Sequence, residues 1–422
     1  MKELFNLLEQ GVSASHAVSY LKKDLLGDGF CELSLQDVWK LEANGKYYIN
    51  LYDTICMAFK VGSVKGAMPA FRIAMAHSDY PGLQLKPEPL VKGKNVVRFN
   101  VEVYGGMYQK SWLDRPLGVA GKVVVKGESA FSPNVLLYDS KRPLCIIPSL
   151  AIHMDRELNK KGALDTAKEF VPVAALNENA DLIGEVARSL QIEKDEILDY
   201  DLFLYNMDKP VVVGLDETMV SSPRLDNLTS VGAILAGMKE TTVLENVVNM
   251  MVVFDNEEVG SRSKQGADSA LLAMGVKRIG KALFGDAFEI SNVLKKSFLL
   301  SVDVAHAHHP NYEEKSDVTN KAYLGKGFCI KRSVGQKYGT SSESAAVLKD
   351  ICVKNGIPYT IAVNKTGIPG GSTLGPIATS YLPMPCADVG MPILSMHSAC
   401  ELGALEDYYA LKKLIVAFYE EM

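Results

Sequence analysis

The sequence predicts an α/β protein with a β-rich segment set into it, on three grounds. After about residue 218, helix-like and strand-like stretches alternate, as in a largely parallel sheet covered by helices on both faces. Residues 91–218 read instead as short β-rich pieces separated by Gly, Pro, Asn and Asp, the texture of an all-β region. Candidate metal ligands lie on both sides of that piece, which makes it an insertion in one host. The expected division is 1–90 and 219–422 for the host and 91–218 for the inserted unit.

Taken in order, Phe5, Leu8, Val12, Val18, Leu21 and Leu25 follow a helical spacing near the N-terminus. KYYINLYDTICMAFKVG and AFRIAMAH read as strands and turns. In the inserted segment NVVRFNVEVYGGMY, GVAGKVVVKG, PNVLLYDS and PLCIIPSLAIH are the β pieces, followed by a helix-like ADLIGEVARSLQ and a strand, YDLFLYN. Thereafter LTSVGAILAGMK, QGADSALLAMGVKRIGKAL and SESAAVLKDICVKNG read as helices, and NVVNMMVVFD, SFLLSVDV, PYTIAV and PMPCADVG as strands. ELGALEDYYALKKLIVAFYEE closes the chain with a broad apolar stripe.

Composition excludes several classes. Of 422 residues, 47% are apolar and 23% charged, enough to bury a full core, and the net charge of −5 with dispersed lysines and arginines leaves no nucleic-acid footprint. No apolar run reaches the roughly 20 residues of a membrane span. The amphipathic N-terminus lacks the apolar core of a signal peptide. Seven scattered cysteines form no CxxC pair and give neither a disulfide framework nor a thiolate zinc site. A cytoplasmic protein is expected.

The chemistry sits where apolar strands stop. His77 closes FRIAMAH, Glu257 and Glu258 follow NMMVVFDN, Asp303 follows SFLLSV, and His397 follows PILSM. Asp226 stands in SPRLDN, just before a helix. In an open α/β sheet ligands bind beyond the carboxyl ends of the strands. A set of His, Asp and Glu without cysteine suits zinc, cobalt or manganese. Asp79, two positions after His77, can accept the second imidazole N–H, although an HxD is also a common surface turn. Of the adjacent glutamates one can ligate while the other takes a proton from water; a solvated acidic turn is the alternative. Asp226 can bridge two cations or cap the helix. Asp303 at a buried strand end calls for a cation. His397 is read as opening the last helix. The Gly-rich TGIPGGSTLGPI lacks a P-loop's Lys-Ser/Thr ending and reads as a close-approach loop or a plain turn. No Gly-x-Ser-x-Gly elbow occurs, which disfavours a serine hydrolase.

AHSDYPGLQLKP, SPRLDNL, DNEEVGS, SVDVAHAHHPNY, GGSTLGPI and MHSACELG, in this order, resemble the aspartyl-aminopeptidase family of dinuclear zinc exopeptidases. The resemblance runs over nearly the whole chain. It implies a zinc-peptidase-type mixed sheet sandwiched by helices and interrupted by a β-rich dimerisation domain. It implies two divalent ions per subunit, zinc first, with Asp226 bridging, His77 and Asp303 on one ion, and Glu258 and His397 on the other. Glu257 becomes the general base and Asp79 the carboxylate orienting His77. His306, Lys331 and Tyr338 become substrate contacts, with Lys331 the group for a substrate carboxylate. His153 is implied to reach the neighbouring subunit's site. Self-association into dimers and a dodecamer, and peptide substrates with acidic N-terminal residues among them, complete the expectation. The family's eukaryotic members usually carry NQRYA where this chain reads GQKYGT. A dinuclear deacylase acting on a non-peptide amide is the alternative enzyme, and a non-catalytic assembly protein the alternative class.

Overall fold

A computed structural model describes residues 1–160 and 162–421. A nine-stranded sheet forms the centre. Its inner run is Val247–Phe254, Ala70–His77, Phe298–Val302 and Cys386–Gly390, in that spatial order and all parallel. These strands are almost wholly buried, as the continuous apolar run of a strand covered on both faces requires. Alternation sorts their side chains. Ala74, Ala76, Met251 and Val253 join a cluster with helices Leu225–Glu240 and Leu405–Glu420, while Ile73, Met75, Met250 and Val252 join another beneath helix Leu271–Phe284. The result is a helix–sheet–helix sandwich. The sheet is mixed rather than largely parallel, because Ile55–Val61 runs antiparallel to Val247–Phe254 and Phe328–Arg332 antiparallel to Cys386–Gly390.

A six-stranded sheet, antiparallel throughout, is formed by chain between Gly82 and Asn206. The sheet begins before residue 91 and ends before residue 218, the limits expected for the inserted unit. Its first strand, Gly82–Gly93, contains Pro87 and Pro89, which it absorbs at a register shift between Leu85 and Leu90. At the other end, Val211–Val213 and Met219–Ser222 belong to a separate five-stranded sheet with Glu401–Ala404, Pro392–Leu394 and Ala305–His306. PLCIIPSLAIH makes only isolated bridges, at Cys145 and Ile146, since Pro143 and Pro148 have no N–H to donate to a ladder.

Candidate metal centre and active-site cleft

All four inner strands run the same way, so their carboxyl ends open onto one edge of the sheet. A cleft of about 820 Å³ lies there, lined by His77, Asp226, Glu257, Glu258, Asp303 and His397 among others. His77 is the last residue of Ala70–His77, and Asp303 directly follows its parallel neighbour Phe298–Val302. Gly390, ending the next strand, comes so close to this corner that a Cβ there would lie 1.7 Å from the Asp303 carbonyl oxygen. Glu257 and Glu258 occupy a single 3₁₀ turn after Val247–Phe254.

His397 departs from expectation. It does not open the last helix; it lies in a turn with Ser395 and itself at φ near +60°. The strand Glu401–Ala404 pairs with Met219–Ser222 before the helix begins at Leu405.

Asp226 stands at the centre. Its Oδ1 is 3.4 Å from His77 Nε2 and its Oδ2 3.3 Å from His397 Nε2. His397 Nε2 is also 3.4 Å from Glu258 Oε2, and His77 Nε2 is 3.6 Å from Asp303 Oδ1. Ligand atoms of His77, Asp226 and Glu258 all fall within 4.8 Å of one another. Asp226 does not cap its helix, and its Oδ1 is buried without a hydrogen-bond partner, a costly state that a cation relieves. Both imidazoles aim Nε2 inward because Nδ1 is taken: His77 Nδ1 lies 3.1 Å from the Asp79 carbonyl oxygen and His397 Nδ1 3.0 Å from that of Gly106. The donor set fits divalent cations.

The electrostatics agree. Burial opposes a charged His77, yet Asp226, Asp303 and Asp79 outweigh it and raise the imidazole well above its ordinary value. His397 is likewise raised, to about 9, with Asp226 overcoming burial. Protons and metal ions therefore compete for this cluster. Burial pushes Glu257 up to about 8, with Asp303, Asp79 and Asp226 adding to the effect of burial and His77 opposing it.

Residues 7–419 match the profile of the aminopeptidase I zinc metalloprotease (M18) family. The chain belongs to this family. It is 40% identical over 423 residues to "Probable M18 family aminopeptidase 2" of Clostridium novyi (strain NT), covering 99% of this chain and 98% of the relative. The solved complex of Ape4 and Nbr1 matches with a TM-score of 0.92 at 32% identity, over 99% of this chain and 85% of that one. A structure described as the "S. cerevesiae mApe1 dodecamer" matches at TM-score 0.84 and 24% identity, over 100% of this chain and 96% of that one, a likeness of fold alone. The protein is a metallo-aminopeptidase.

In this aminopeptidase Asp79 does more than face His77. Its two carboxylate oxygens accept the backbone N–H groups of Glu257 and Glu258, both at 3.1 Å, so it sets the 3₁₀ turn as well as the imidazole. Lys331 is buried, and its ammonium donates to the carbonyl oxygens of Asp303 and Val304 at 3.1 and 3.0 Å and to Asp303 Oδ2 at 3.4 Å. All three N–H bonds are thus engaged around Asp303, and Nζ lies 5.1 Å over the Tyr338 ring. His306 lines the cleft, and desolvation there, then Lys331 and His397, lower its pKa below that of an ordinary imidazole. His308, Gly371, Ser372 and Thr373 also line the cleft, so the Gly-rich loop does border it. His153 is exposed and is not among the described residues lining the cleft of its own chain.

Sequence reasoning passed over Glu401. Its buried carboxylate accepts the N–H of Asp226 at 2.9 Å and the N–H of His397 at 2.8 Å, clamping two expected ligands to each other. An acid inside the apolar ACELGAL was the available signal. Gly106 and Tyr104 had none.

Proposed function

We propose that the aminopeptidase works through two divalent ions bridged by Asp226, zinc being the family's metal, with His77 and Asp303 completing one site and Glu258 and His397 the other. The observation that carries the reading is Asp226, whose two oxygens face two different inward-pointing imidazoles. When bound, the ions supply Lewis acidity to the scissile carbonyl and lower the pKa of the attacking water.

The rest is the work of the chain. Glu257, buried beside the cluster and not needed as a ligand, takes the proton of the attacking water and delivers it to the leaving amine. Its buried carboxyl group can hold that proton between the two transfers. His306, which lines the cleft, donates a hydrogen bond to the developing oxyanion. The carboxylates at the cleft floor receive the substrate's α-ammonium group, which restricts cleavage to the terminal residue. Acidic N-terminal residues fit a cleft whose lining carries Lys315, Lys321 and Lys365. The β-rich unit pairs subunits, His153 reaches a neighbour's cleft, and the assembly is a dodecamer, as the oligomeric relatives suggest. The enzyme acts in the cytoplasm; no described helix is long and apolar enough to cross a membrane.

Hydrolysis of a panel of aminoacyl amides by zinc-reconstituted protein tests the reading. Aspartyl and glutamyl substrates are expected to be released fastest. Preference for neutral residues would remove the acidic specificity. Cleavage of N-acyl amino acids alone would replace the peptidase mechanism with a deacylase.

A further inference from the structure

A five-residue segment of the β-rich unit meets the candidate metal cluster of its own chain through four residues, Tyr104, Gly105, Gly106 and Tyr108. Strand Val96–Tyr104 leads into the turn that carries Gly106, which lines the cleft. The Tyr104 hydroxyl donates to Asp79 Oδ2 at 2.7 Å and accepts from Asn256 Nδ2 at 3.0 Å. Gly105 has φ +72°, and a Cβ there would stand 3.2 Å from the Cβ of Glu258 and 3.3 Å from its carbonyl oxygen. The Gly106 carbonyl fixes His397 Nδ1, and the Tyr108 N–H donates to the His397 carbonyl at 2.8 Å. One short segment thus touches the carboxylate that holds His77, Glu257 and Glu258, the backbone of Glu258, and both ends of His397.

We infer that Tyr104–Tyr108 is a positioning segment for the metal centre, so that the β-rich unit belongs to the catalytic apparatus of its own chain and is not solely an assembly surface. The inference rests on the reading of the cluster as a metal site. Three features separate it from incidental packing. The contacts are spread over three places, Asp79, Glu258 and His397, and the Gly106 carbonyl at His397 Nδ1 leaves Nε2 facing inward. The hydrogen bond to Asp79 completes a carboxylate that already holds the backbone of the Glu257–Glu258 turn. The segment is also anchored from behind: the Tyr104 ring packs edge-on against Phe203 at 5.4 Å, on strand Ile197–Asn206 of the same sheet, and Ala399 N–H donates to Ser111 Oγ at 2.8 Å. A shift of the six-stranded sheet against the central one would therefore be felt at Asp79, Glu258 and His397 together. Groups that hold metal ligands in this way change metal affinity by roughly 10- to 100-fold when lost.

The test is zinc binding by competition with a chromophoric chelator, on the full chain stripped of metal, for wild type, Tyr104→Phe, Gly105→Ala and a control. The control is Tyr200→Phe, which removes hydroxyl contacts to the Lys86 and Pro87 carbonyls in the same sheet, away from the cleft. Tyr104→Phe and Gly105→Ala are expected to weaken zinc binding by about tenfold or more, while the thermal midpoint of the metal-free protein stays close to that of Tyr200→Phe. Tyr200→Phe is expected to bind zinc as wild type does. Wild-type affinity in both Tyr104→Phe and Gly105→Ala, or equal losses in all three variants, would overturn the inference. Failure of the wild-type protein itself to bind zinc would instead overturn the metal-site reading beneath it.

Discussion

At one end of the candidate ligand cluster His77 ends one strand of the central sheet and Asp303 directly follows its parallel neighbour; at the other, Glu258 and His397 sit in turns. The first end is fixed by the sheet itself. His77 is 1% exposed, and Asp303 is tied from behind by Lys331. The second end depends on borrowed support: Asp79 holds the Glu258 N–H, Glu401 the His397 N–H, and Gly106 the His397 ring. Its imidazole is also more open, with 32% of the side chain exposed. In the two-ion reading proposed above, the two sites joined by Asp226 differ in their support and exposure, and the more open one is expected to exchange its ion faster.

The sharpest way to break this comparison is to remove what both ends share. Asp226→Asn is expected to lose both ions and nearly all activity, whereas His397→Ala keeps one ion, at the His77 end; elemental analysis after dialysis distinguishes them. Equal metal content in the two variants would make the ends equivalent. Next in size is Glu257→Gln, which touches neither end. Its turnover is expected to fall by about 10²- to 10⁴-fold with metal content unchanged, and near-normal kcat would remove Glu257 as the base.

Lys331→Met probes the sheet-held end alone. Because its ammonium is engaged around Asp303, metal retention is expected to drop by about tenfold or more. kcat/KM should fall by the same factor for aspartyl and alanyl substrates. A loss confined to aspartyl substrates would make Lys331 the group that recognises an acidic side chain.

The smallest effect is on the metal-free protein. Burial pushes Glu257 and Glu401 up to about 8 from the 4.5 of an ordinary glutamate, so the folded chain holds protons that the unfolded chain releases. The stability linked to them is complete below about 4.5 and lost as pH rises through about 8. His397, raised to about 9, carries the same sign. Calorimetry is expected to show the midpoint of chelated protein falling by several degrees between about pH 6 and pH 9, with the zinc-loaded protein spared. A midpoint that rises over that range would contradict the burial of these carboxylates.

The same contrast explains what could be read in the sequence. His77 and Asp303 are announced by apolar strands that stop at a polar residue, because a strand buried on both faces must be apolar to its end. The four inner strands and the long helices were legible for the same reason. The supports of the other end were not. Gly106 acts through a backbone carbonyl, which every residue has, and Tyr104 lies in a β-rich stretch where a tyrosine is unremarkable. The misplacement of His397 at a helix start has a related cause: ELGALEDYY is apolar enough to extend the helical stripe backwards, and only pairing with Met219–Ser222 makes Glu401–Ala404 a strand. The strand Gly82–Gly93, which carries Pro87 and Pro89 at a register shift, was not legible as part of the β-rich unit.

Anomalous scattering at the zinc edge from crystals of the zinc-loaded enzyme tests the central claim most directly. Two peaks per chain are expected, flanking the Asp226 carboxylate, one beside His77 and Asp303 and the other beside Glu258 and His397. A single peak, or a pair that leaves Asp226 outside coordinating distance of either ion, would contradict it.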